Sequence, residues 1–335
     1  MARDMDFLYA SARVKALETK LLGKADFDKM LDAEGAEEVL KLLADTDYGM
    51  DIAEMKNIYD FPKILYSHNK RAYDVIRDSV KNPLVVRFFT LKNDYHNLKV
   101  LIKNEILGPD EARNHYLYLG EVELAQLEKL AADDPTALVP DNIKEAYRAA
   151  KAVYEITQDA QQIDITLDNA LFSDLKNITE KLGEDLIKEY FFAMADLTNI
   201  KTMIRLMKIK AEVRDLERAL LPGGIIEYDF FVRLFNEPIQ NIIDTFTFSP
   251  YQKVVDEGLS RFVNTKRLDH FEKLTDDYLI NIARRGLYKP FGIEPVFGYL
   301  AATENEVNIL RMVLVGKING IPSDMLKEML RDVYV

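Results

Sequence analysis

The sequence predicts an all-α protein, and three observations support that class. Apolar residues recur at the i, i+3 and i+4 spacing of helices along most of the 335 residues. Only 14 Gly and 11 Pro are present, so long uninterrupted helices are favoured. The most strand-like segment, GGIIEYDFFVRLF, places apolar residues at i, i+1, i+4 and i+5 from Phe230, which is the spacing of a helix face.

The first predicted helices are short and end at glycines. The segment FLYASARVKALETKLLG predicts a helix that stops at Gly23, with Leu8, Ala12 and Leu17 on its expected core face. The segment AEEVLKLLADTDYG predicts a second short helix that ends near Gly49.

The later helices follow from the same start and stop signals. Asn82 and Pro83 provide a cap and a first-turn proline, which predicts a helix from there to Gly108. The remaining predicted helices cover 140–183 (continuous or with one break), 184–220, 250–264, 268–288, 295–318 and 323–333.

Composition limits the functional classes. The formal net charge of −12 disfavours binding to nucleic acid phosphates and to anionic lipid headgroups. Cysteine is absent and the four His are scattered, so neither a disulfide framework nor a Cys or His metal site is expected. The opening segment MARDMDFLYASARVKALETK lacks the apolar core of a signal peptide, and no window approaches the length of about 18 apolar residues that spans a bilayer. The sequence therefore predicts a cytoplasmic chain without direct lipid insertion.

Two segments about a hundred residues apart have nearly the same sequence. They are FFTLKNDYHNLKVLI at 88–102 and YFFAMADLTNIKTMI at 190–204. Each carries an aromatic pair ahead of Asp-x-x-Asn-[Leu/Ile]-Lys. The aligned residues are Asp94 with Asp196, Asn97 with Asn199, and Lys99 with Lys201.

A fainter third copy occurs near the end of the chain. The segment EVNILRMVL aligns Glu306 with the Asp and Arg311 with the Lys, and it has Ile309 in place of the Asn. Each copy follows a helix of similar length that has a Gly stop. The sequence therefore predicts three related helical repeats over 1–119, 120–221 and 222–335, packed with pseudo-threefold symmetry in one compact chain.

The acid and the Asn of each motif lie at i and i+3, so they share one face of the helix. Two interpretations are open. The pair can be a buried polar contact that fixes how helices cross, with a solvated Lys nearby. Alternatively, these residues line a surface for a partner.

A basic stretch follows the second motif. In KTMIRLMKIKAEVRDLER, the side chains of Lys201, Arg205 and Lys208 line one side of a helix. They can complement the helix dipole near a C-terminus while remaining solvated. Alternatively, they dock an acidic partner on an otherwise acidic protein.

No catalytic constellation is evident. The sequence contains no P-loop, dinucleotide-binding or nucleophile-elbow pattern. The Asp276–Asp277 pair has no third carboxylate four or five residues on, and it is predicted to lie on an exposed helical face. The sequence therefore favours a structural or coupling protein without a cofactor over an enzyme.

Three segments together carry a family resemblance. FLYASARVKALETKLL, the helices with DYHNLKVLIK and DLTNIKTMIR, and the closing EPVFGYLAATENEVNILRMVLVGKINGIP resemble the C subunit of the V-type and A-type ATP synthases. In eukaryotic vacuolar ATPases it is called the d subunit. The resemblance covers essentially the whole chain, and its motifs are not catalytic signatures.

The resemblance implies a fold and a role. The family fold is a funnel of three similar helical bundles around a pseudo-threefold axis. A family member is a rotor part that binds no nucleotide, sits on the cytoplasmic face of the transmembrane proteolipid ring, and receives the base of the central shaft, the D and F subunits. One monomeric copy per complex is implied, as a peripheral part of the membrane-associated ATPase.

The resemblance also implies candidate partner-binding residues. It places residues of the first helix and of the three motif helices near the central cavity. The candidates are Tyr9, Arg13, Lys15, Lys99, Lys201, Arg205 and Arg311, beside the repeat-motif residues Asp94, Asn97, Asp196, Asn199 and Glu306. Because Ile309 replaces the Asn, a role for the polar pair in the third repeat is doubtful.

Two other functions stay open at the level of sequence. One is a stand-alone helical adaptor with the same threefold core and other clients. The other is an all-α enzyme acting on diphosphates, which the missing i, i+4 carboxylate motifs disfavour. The transported ion, H⁺ or Na⁺, and the direction of the reaction are decided in other subunits.

Overall fold

The computed structural model describes residues 6–108 and 116–335, and every regular element within these ranges is helical. Short 3₁₀ helices lie at Ile58–Asp60 and Arg285–Tyr288. None of the described helices combines the length and the apolar content needed to cross a bilayer. The α-helices are α1 (Leu8–Glu18), α2 (Lys24–Asp32), α3 (Ala36–Ala44), α4 (Gly49–Ala53), α5 (Phe61–Arg77), α6 (Leu84–Leu107), α7 (Leu124–Ala131), α8 (Asp141–Thr157), α9 (Ala160–Leu182), α10 (Asp185–Lys208), α11 (Val213–Ala219), α12 (Tyr228–Leu234), α13 (Ile239–Thr245), α14 (Gln252–Thr265), α15 (Asp269–Arg284), α16 (Ile293–Ile318) and α17 (Ser323–Met329).

The all-α prediction is confirmed, and the structure adds two breaks. The stretch 140–183 is divided at Gln158, whose φ of 54° is left-handed, and the stretch 184–220 is divided at Lys210, whose φ is 57°. A left-handed residue ends a helix because it turns the next N–H away from the helix axis. The last predicted helix ends at Met329 instead of 333. The glycine and proline residues between Gly108 and Gly120 also predict a seam near the end of the first repeat, and this segment lies partly outside the described residues.

The predicted core face of α1 is wrong at Leu8 and Ala12, whereas Leu17 is half-buried. Leu8 and Ala12 are exposed, while the buried face carries Ala10, Ser11, Val14 and Glu18. Polar Ser11 tolerates burial because its hydroxyl donates to the carbonyl of Phe7 at 2.8 Å. The spacing of large apolar residues did not indicate the buried side of this helix, because that side is formed mainly by small and polar residues.

The described residues form two compact units. The first comprises the described parts of Met1–Val86, Glu184–Tyr190 and Glu237–Val335, and the second comprises those of Arg87–Gly183 and Phe191–Asn236. The three predicted repeats, with boundaries at 119 and 221, stay a prediction.

The core of the first unit forms around α16. The last turns of this helix contribute Val307, Leu310, Val313 and Leu314 to an apolar cluster. Residues of α2 and α3 near the start of the chain complete this cluster, together with Leu326 of α17. The N-terminal and C-terminal parts of the described chain therefore share one core.

In the second unit, a row of polar contacts joins α6 to α9. Lys99 Nζ lies 2.6 Å from Asp168 Oδ1, and Lys103 Nζ lies 2.8 Å from Asp164 Oδ1. The hydroxyl of Tyr95 donates to Asp174 Oδ2 at 2.7 Å. The residue numbers rise on one helix as they fall on the other, so the two helices run antiparallel.

The segment after Leu330 forms no regular secondary structure and is held by α15 and α16. The backbone N–H of Asp332 donates to Asp277 Oδ1 at 2.7 Å, and Asn305 Nδ2 donates to the carbonyl of Asp332 at 2.8 Å. Asp277 is 8% exposed, which corrects the prediction that the Asp276–Asp277 pair lies on an exposed face. Asp277 is buried because it anchors this segment, and Lys273 Nζ lies 2.6 Å from its other oxygen.

Candidate functional site

The Asp-x-x-Asn pair of α6 binds the chain segment that leads into α7. The Nδ2 group of Asn97 donates to the Leu117 carbonyl at 2.7 Å, and its Oδ1 accepts from the Leu117 N–H at 2.8 Å. The Asp94 carboxylate accepts from the N–H groups of Glu121 (3.2 Å) and Val122 (3.0 Å). Asp94 and Asn97 are each 2% exposed. We call these two side chains with residues 117–122 the first clamp.

The pair on α10 makes the same contacts. Asn199 binds both backbone groups of Leu221, at 2.9 and 2.8 Å. The Asp196 carboxylate accepts from the N–H groups of Ile225 (3.0 Å) and Ile226 (3.2 Å). We call these side chains with residues 221–226 the second clamp. The repeated sequence thus encodes a repeated local structure.

Each clamp requires a glycine three residues after its leucine. A Cβ atom on Gly120 would lie 2.1 Å from Asp94 Oδ1, and one on Gly224 would lie 1.9 Å from Asp196 Oδ1. Atoms that are not bonded cannot approach so closely, so a side chain at either position displaces the carboxylate. The absence of a side chain at this glycine lets the loop backbone come into contact with the carboxylate.

The acid of the third motif is bound from the opposite end of the chain. Glu306 Oε2 accepts from the Leu22 N–H at 2.6 Å, and Oε1 accepts from the Tyr48 hydroxyl at 2.7 Å. Leu22 lies two residues before the start of α2, as Val122 and Ile226 lie two residues before α7 and α12. The N-terminal part of the chain therefore supplies the N–H that a following loop supplies in the two clamps.

The structure also explains why the third motif has no Asn. The backbone has the same conformation at two matching positions after α10 and after α16. The helix is followed by a left-handed residue, Lys210 after α10 and Gly320 after α16. The short helix that comes next ends at an extended leucine, Leu220 after α11 and Leu330 after α17. In the second clamp, Leu221, the residue after Leu220, binds Asn199. After Leu330 the chain instead turns to Asp277, so Ile309 has no loop to hold and is fully buried.

Burial raises the pKa of two of the three motif acids. Burial raises the pKa of Glu306 to about 7, although the Leu22 N–H and the Tyr48 hydroxyl act in the opposite direction. Burial likewise raises the pKa of Asp94 to about 6, against the effect of its two backbone N–H partners. Glu306 therefore changes its charge near neutral pH within the core.

A buried histidine lies beside Glu306. The ring of His68 stacks on Tyr48 with 4.1 Å between the ring centroids, and its Nε2 lies 3.6 Å from Glu306 Oε1. Burial lowers the pKa of His68 to about 4, with Arg71 adding to the effect. The imidazole is therefore neutral at the pH where Glu306 ionises.

The candidate partner-binding residues of the motif helices lie in different settings. Lys99 is paired with Asp168, as described for α6 and α9. Lys201 is half-buried and Arg205 is exposed, both on α10 in the second unit. Arg311 is exposed on α16 in the first unit. Their proposed contact with a partner stays a prediction.

The three candidates on α1 all lie in the first unit. Tyr9 is 66% exposed. Arg13 donates to the Ser79 hydroxyl at 3.2 Å. Lys15 contacts Glu18 at 3.0 Å and donates to the carbonyl of Leu287 at 2.7 Å. Tyr9 is therefore the most available of the three for a partner.

Sequence reasoning missed the groups that bind the motif acids. A backbone N–H has no side-chain signature, so the loops at 117–122 and 221–226 were not connected to the motifs. One signal was present: LYLG and LPGG follow the first two motifs at similar distances, each with Leu three residues before Gly. Among the described residues, no three His or acidic side chains are grouped as a metal site would need. The contacts of the motif acids fix the chain's own backbone.

Comparisons with known proteins match nearly the full chain to one family of ATP synthase subunits. The family model described as ATP synthase (C/AC39) subunit matches residues 10–329. The C subunit of the V-type sodium ATPase of Enterococcus hirae is 24% identical over 332 residues, which cover 98% of this chain and 99% of that protein. The C subunit of the V-type ATP synthase of Thermus thermophilus is 24% identical, covering 96% of this chain and 98% of that protein. The C subunit of the A-type ATP synthase of Methanocaldococcus jannaschii is 24% identical, and the match covers 97% of this chain and 86% of that protein.

The close approach of Gly224 to Asp196 predicts a strong effect of a single methyl group. Gly224→Ala should lower the free energy of unfolding by about 2 kcal/mol, because the added Cβ overlaps the carboxylate. Urea unfolding followed by circular dichroism measures this. Gly35→Ala is the control, since a Cβ there meets nothing within 4 Å, and it should cost less than about 1 kcal/mol, the loss of a favourable N-cap residue of α3. Equal losses in the two variants would contradict the clamp.

The raised pKa of Glu306 predicts that its contribution to stability falls as pH rises from about 4 to about 7 and is constant above that range. The folded protein keeps this proton up to about pH 7, whereas the unfolded chain releases it near its ordinary pKa of about 4.3. Between these values the folded state binds more protons, so this group's contribution to the free energy of unfolding decreases with pH, by about 4 kcal/mol in total.

The measurement is the difference in unfolding free energy between wild type and Glu306→Gln from pH 5 to 8. The raised pKa of Asp94 gives a similar slope, which cancels in the difference because Asp94 belongs to the other unit. The lowered pKa of His68 gives the opposite slope, and His68 lies 3.6 Å from Glu306, so His68→Asn is introduced into both proteins to remove its contribution. We expect wild type to lose stability relative to the variant as pH rises. Glu37→Gln, which changes an exposed residue, controls for loss of a surface charge. Parallel wild-type and Glu306→Gln profiles would show that Glu306 ionises normally.

Proposed function

The chain belongs to the ATP synthase (C/AC39) subunit family, and from this we propose that it is a non-catalytic central-rotor subunit of a V/A-type rotary ATPase. The observation that carries the proposal is the extent of the match, which runs from residue 10 to residue 329. The relatives from Enterococcus and Thermus are matched over almost their full length. Each of these matches therefore covers almost all of both proteins.

In the proposed mechanism, the chain is a socket between the central shaft and the membrane ring. It receives the base of the shaft, the D and F subunits, and it rests on the cytoplasmic face of the proteolipid ring as a peripheral component. Rotation driven by ATP in the catalytic head then passes through this chain to the ring, which moves H⁺ or Na⁺. One monomeric copy serves each complex.

A torque-bearing part must resist deformation, and three features of the chain support that role. The motif helices α6, α10 and α16 are long, with 24, 24 and 26 residues. The two clamps tie the following loops to α6 and α10 by buried hydrogen bonds. The bond between Leu22 and Glu306 ties the N-terminal part of the chain to α16. Loop motion would break buried polar contacts, and each broken contact costs about 1–3 kcal/mol.

We also propose that the three motif helices belong to three similar bundles around a pseudo-threefold axis. The equal contacts of the first and second clamps support this arrangement. The Leu22–Glu306 contact supports it as well, because the beginning of the chain completes the local structure of the last motif. In such an arrangement the candidate residues on α1 and on the motif helices would face the central cavity.

Direct binding to the shaft tests the proposal. The purified chain, mixed with co-expressed D and F subunits, should form a complex that weakens as salt increases, because charge pairs across an interface are screened. Lys201→Glu with Arg205→Glu should weaken binding about tenfold if these residues contact acidic groups of the shaft. Lys63→Glu with Lys70→Glu on α5 is the matched control, since both lysines are exposed.

Isothermal titration calorimetry at several salt concentrations gives the affinities. No binding of the wild-type chain at low salt would remove the shaft from the mechanism and favour a stand-alone adaptor. Equal weakening by both double variants would show that net charge matters and that the position of Lys201 and Arg205 does not.

A further inference from the structure

A buried acid and a buried histidine lie side by side in the first unit. Glu306 lies on α16 and is 4% exposed, and His68 lies on α5 and is 7% exposed. His68 Nε2 lies 3.6 Å from Glu306 Oε1. At this distance the two groups titrate as a pair, because the charge of one changes the proton affinity of the other.

The imidazole of His68 has an unmet hydrogen-bonding requirement. Neither ring nitrogen has a hydrogen-bond partner among the described residues. A neutral imidazole has one acceptor nitrogen, and a buried acceptor without a donor is costly. Tyr48, whose ring stacks on the imidazole, donates its hydroxyl to Glu306 instead. The Glu306 carboxyl group lies beside Nε2 and can supply the missing donor when it is protonated.

Glu306 has the complementary requirement, since an ionised carboxylate loses its hydration in the core. Two donors contact it, the Leu22 N–H at 2.6 Å and the Tyr48 hydroxyl at 2.7 Å. Burial outweighs both donors and raises the pKa of Glu306 to about 7, whereas burial lowers the pKa of His68 to about 4. A proton on Glu306 therefore avoids a buried charge and supplies the donor that His68 lacks.

The charged groups around His68 do not favour an imidazolium in the closed structure. Arg71, on the same helix, disfavours a positive charge on the ring. Asp47 and Asp51 act in the opposite direction, but each already has a cationic partner. Asp47 lies 2.9 Å from Lys20 Nζ, and Asp51 lies 2.6 Å from Arg71 Nη1. Burial of the ring therefore determines that it stays neutral.

The groups around Glu306 likewise disfavour its charged form. Asp47 and Asp26 both oppose a second negative charge at this place. The other ionisable side chains that face Glu306 from the elements packed around it are Tyr48, His68, Tyr299 and Tyr334. The surroundings of the two groups therefore favour a neutral pair over an ion pair.

We propose that Glu306 and His68 form a proton-sharing pair that closes residues 22–48 onto α16. In the closed structure, the Glu306 carboxyl group keeps a proton on Oε1 and directs it at His68 Nε2. When residues 22–48 move away from α16, water reaches both groups. The Oε1–H bond then breaks and an N–H bond forms at Nε2, which leaves a carboxylate and an imidazolium. Both states hold one proton, so between about pH 4.5 and 6.5 opening neither takes up nor releases a proton.

Two spectroscopic measurements on the full chain test the neutral pair. At pH 6, nitrogen NMR of the isotope-labelled chain should show a neutral His68 that carries its proton on Nδ1, and His68→Asn identifies its signals. Infrared spectra at pH 6 should contain the C=O band of a protonated carboxyl group that Glu306→Gln removes. Asp94 lies in the other unit and contributes equally to both spectra. An imidazolium signal without this carboxyl band would show an ion pair and would overturn the proposal.

Hydrogen exchange of the backbone amides of residues 22–48 tests the transfer of the proton on opening. Their protection factors, which correct for the intrinsic exchange rate, should be nearly equal at pH 5 and pH 6 in the wild-type chain. In Glu306→Gln they should rise about sevenfold from pH 5 to 6, because only His68 then gains a proton on opening. In His68→Asn they should fall about sevenfold, because only Glu306 then loses one.

The amides of α8, in the second unit, are the internal control and should respond alike in all three proteins. Opposite slopes in the two variants beside a flat wild-type profile support the shared proton. The same pH dependence of residues 22–48 in all three proteins would overturn it. Gln at position 306 can still accept from the Leu22 N–H and donate to His68, so this variant should fold. If His68→Asn does not fold, the wild-type spectra and the slope of Glu306→Gln decide the proposal.

Discussion

The structure depends on one constraint: a carboxylate buried on a long helix must find hydrogen-bond donors without leaving the core. An ionised carboxyl group loses much of its hydration when it is buried, and two backbone N–H groups replace part of it. Asp94 and Asp196 each satisfy this need with two N–H groups of a nearby loop. Each loop is thereby fixed, and the helix that follows it begins at a defined place. A polar requirement of one side chain thus determines the path of a whole segment.

The same requirement connects the two ends of the described chain. Glu306 receives its N–H from Leu22, 284 residues away in sequence. The segment that follows Leu22 contributes Phe27 and Met30 to the core around α16. The equivalent positions after the first clamp are Leu127 and Leu130, which are also buried. The beginning of the chain therefore takes the place of the loop and helix that follow each of the first two motifs.

Sequence patterns predicted most helices well, including the three that carry the motifs, because helix formation depends on local spacing of residues. Asp94 and Asn97 were recognised as sharing a face since i and i+3 positions are adjacent on any helix. Their partners were not recognised, because backbone groups of Leu117 and Val122 are chemically the same at every position. The face of α1 was assigned wrongly because apolar residues are usually buried, and here Leu8 and Ala12 are exposed. Such an exception marks a surface that the isolated chain leaves uncovered.

The proposed role of this chain is to transmit rotation between the head and the membrane ring. ATP-driven ion transport into vesicles that contain the reconstituted ATPase, with and without this chain, tests that role while ATP hydrolysis is followed in the same sample. We expect that omitting the chain abolishes transport while the head still hydrolyses ATP, and that adding the purified chain restores transport. Undiminished transport in its absence would rule out the proposed coupling role.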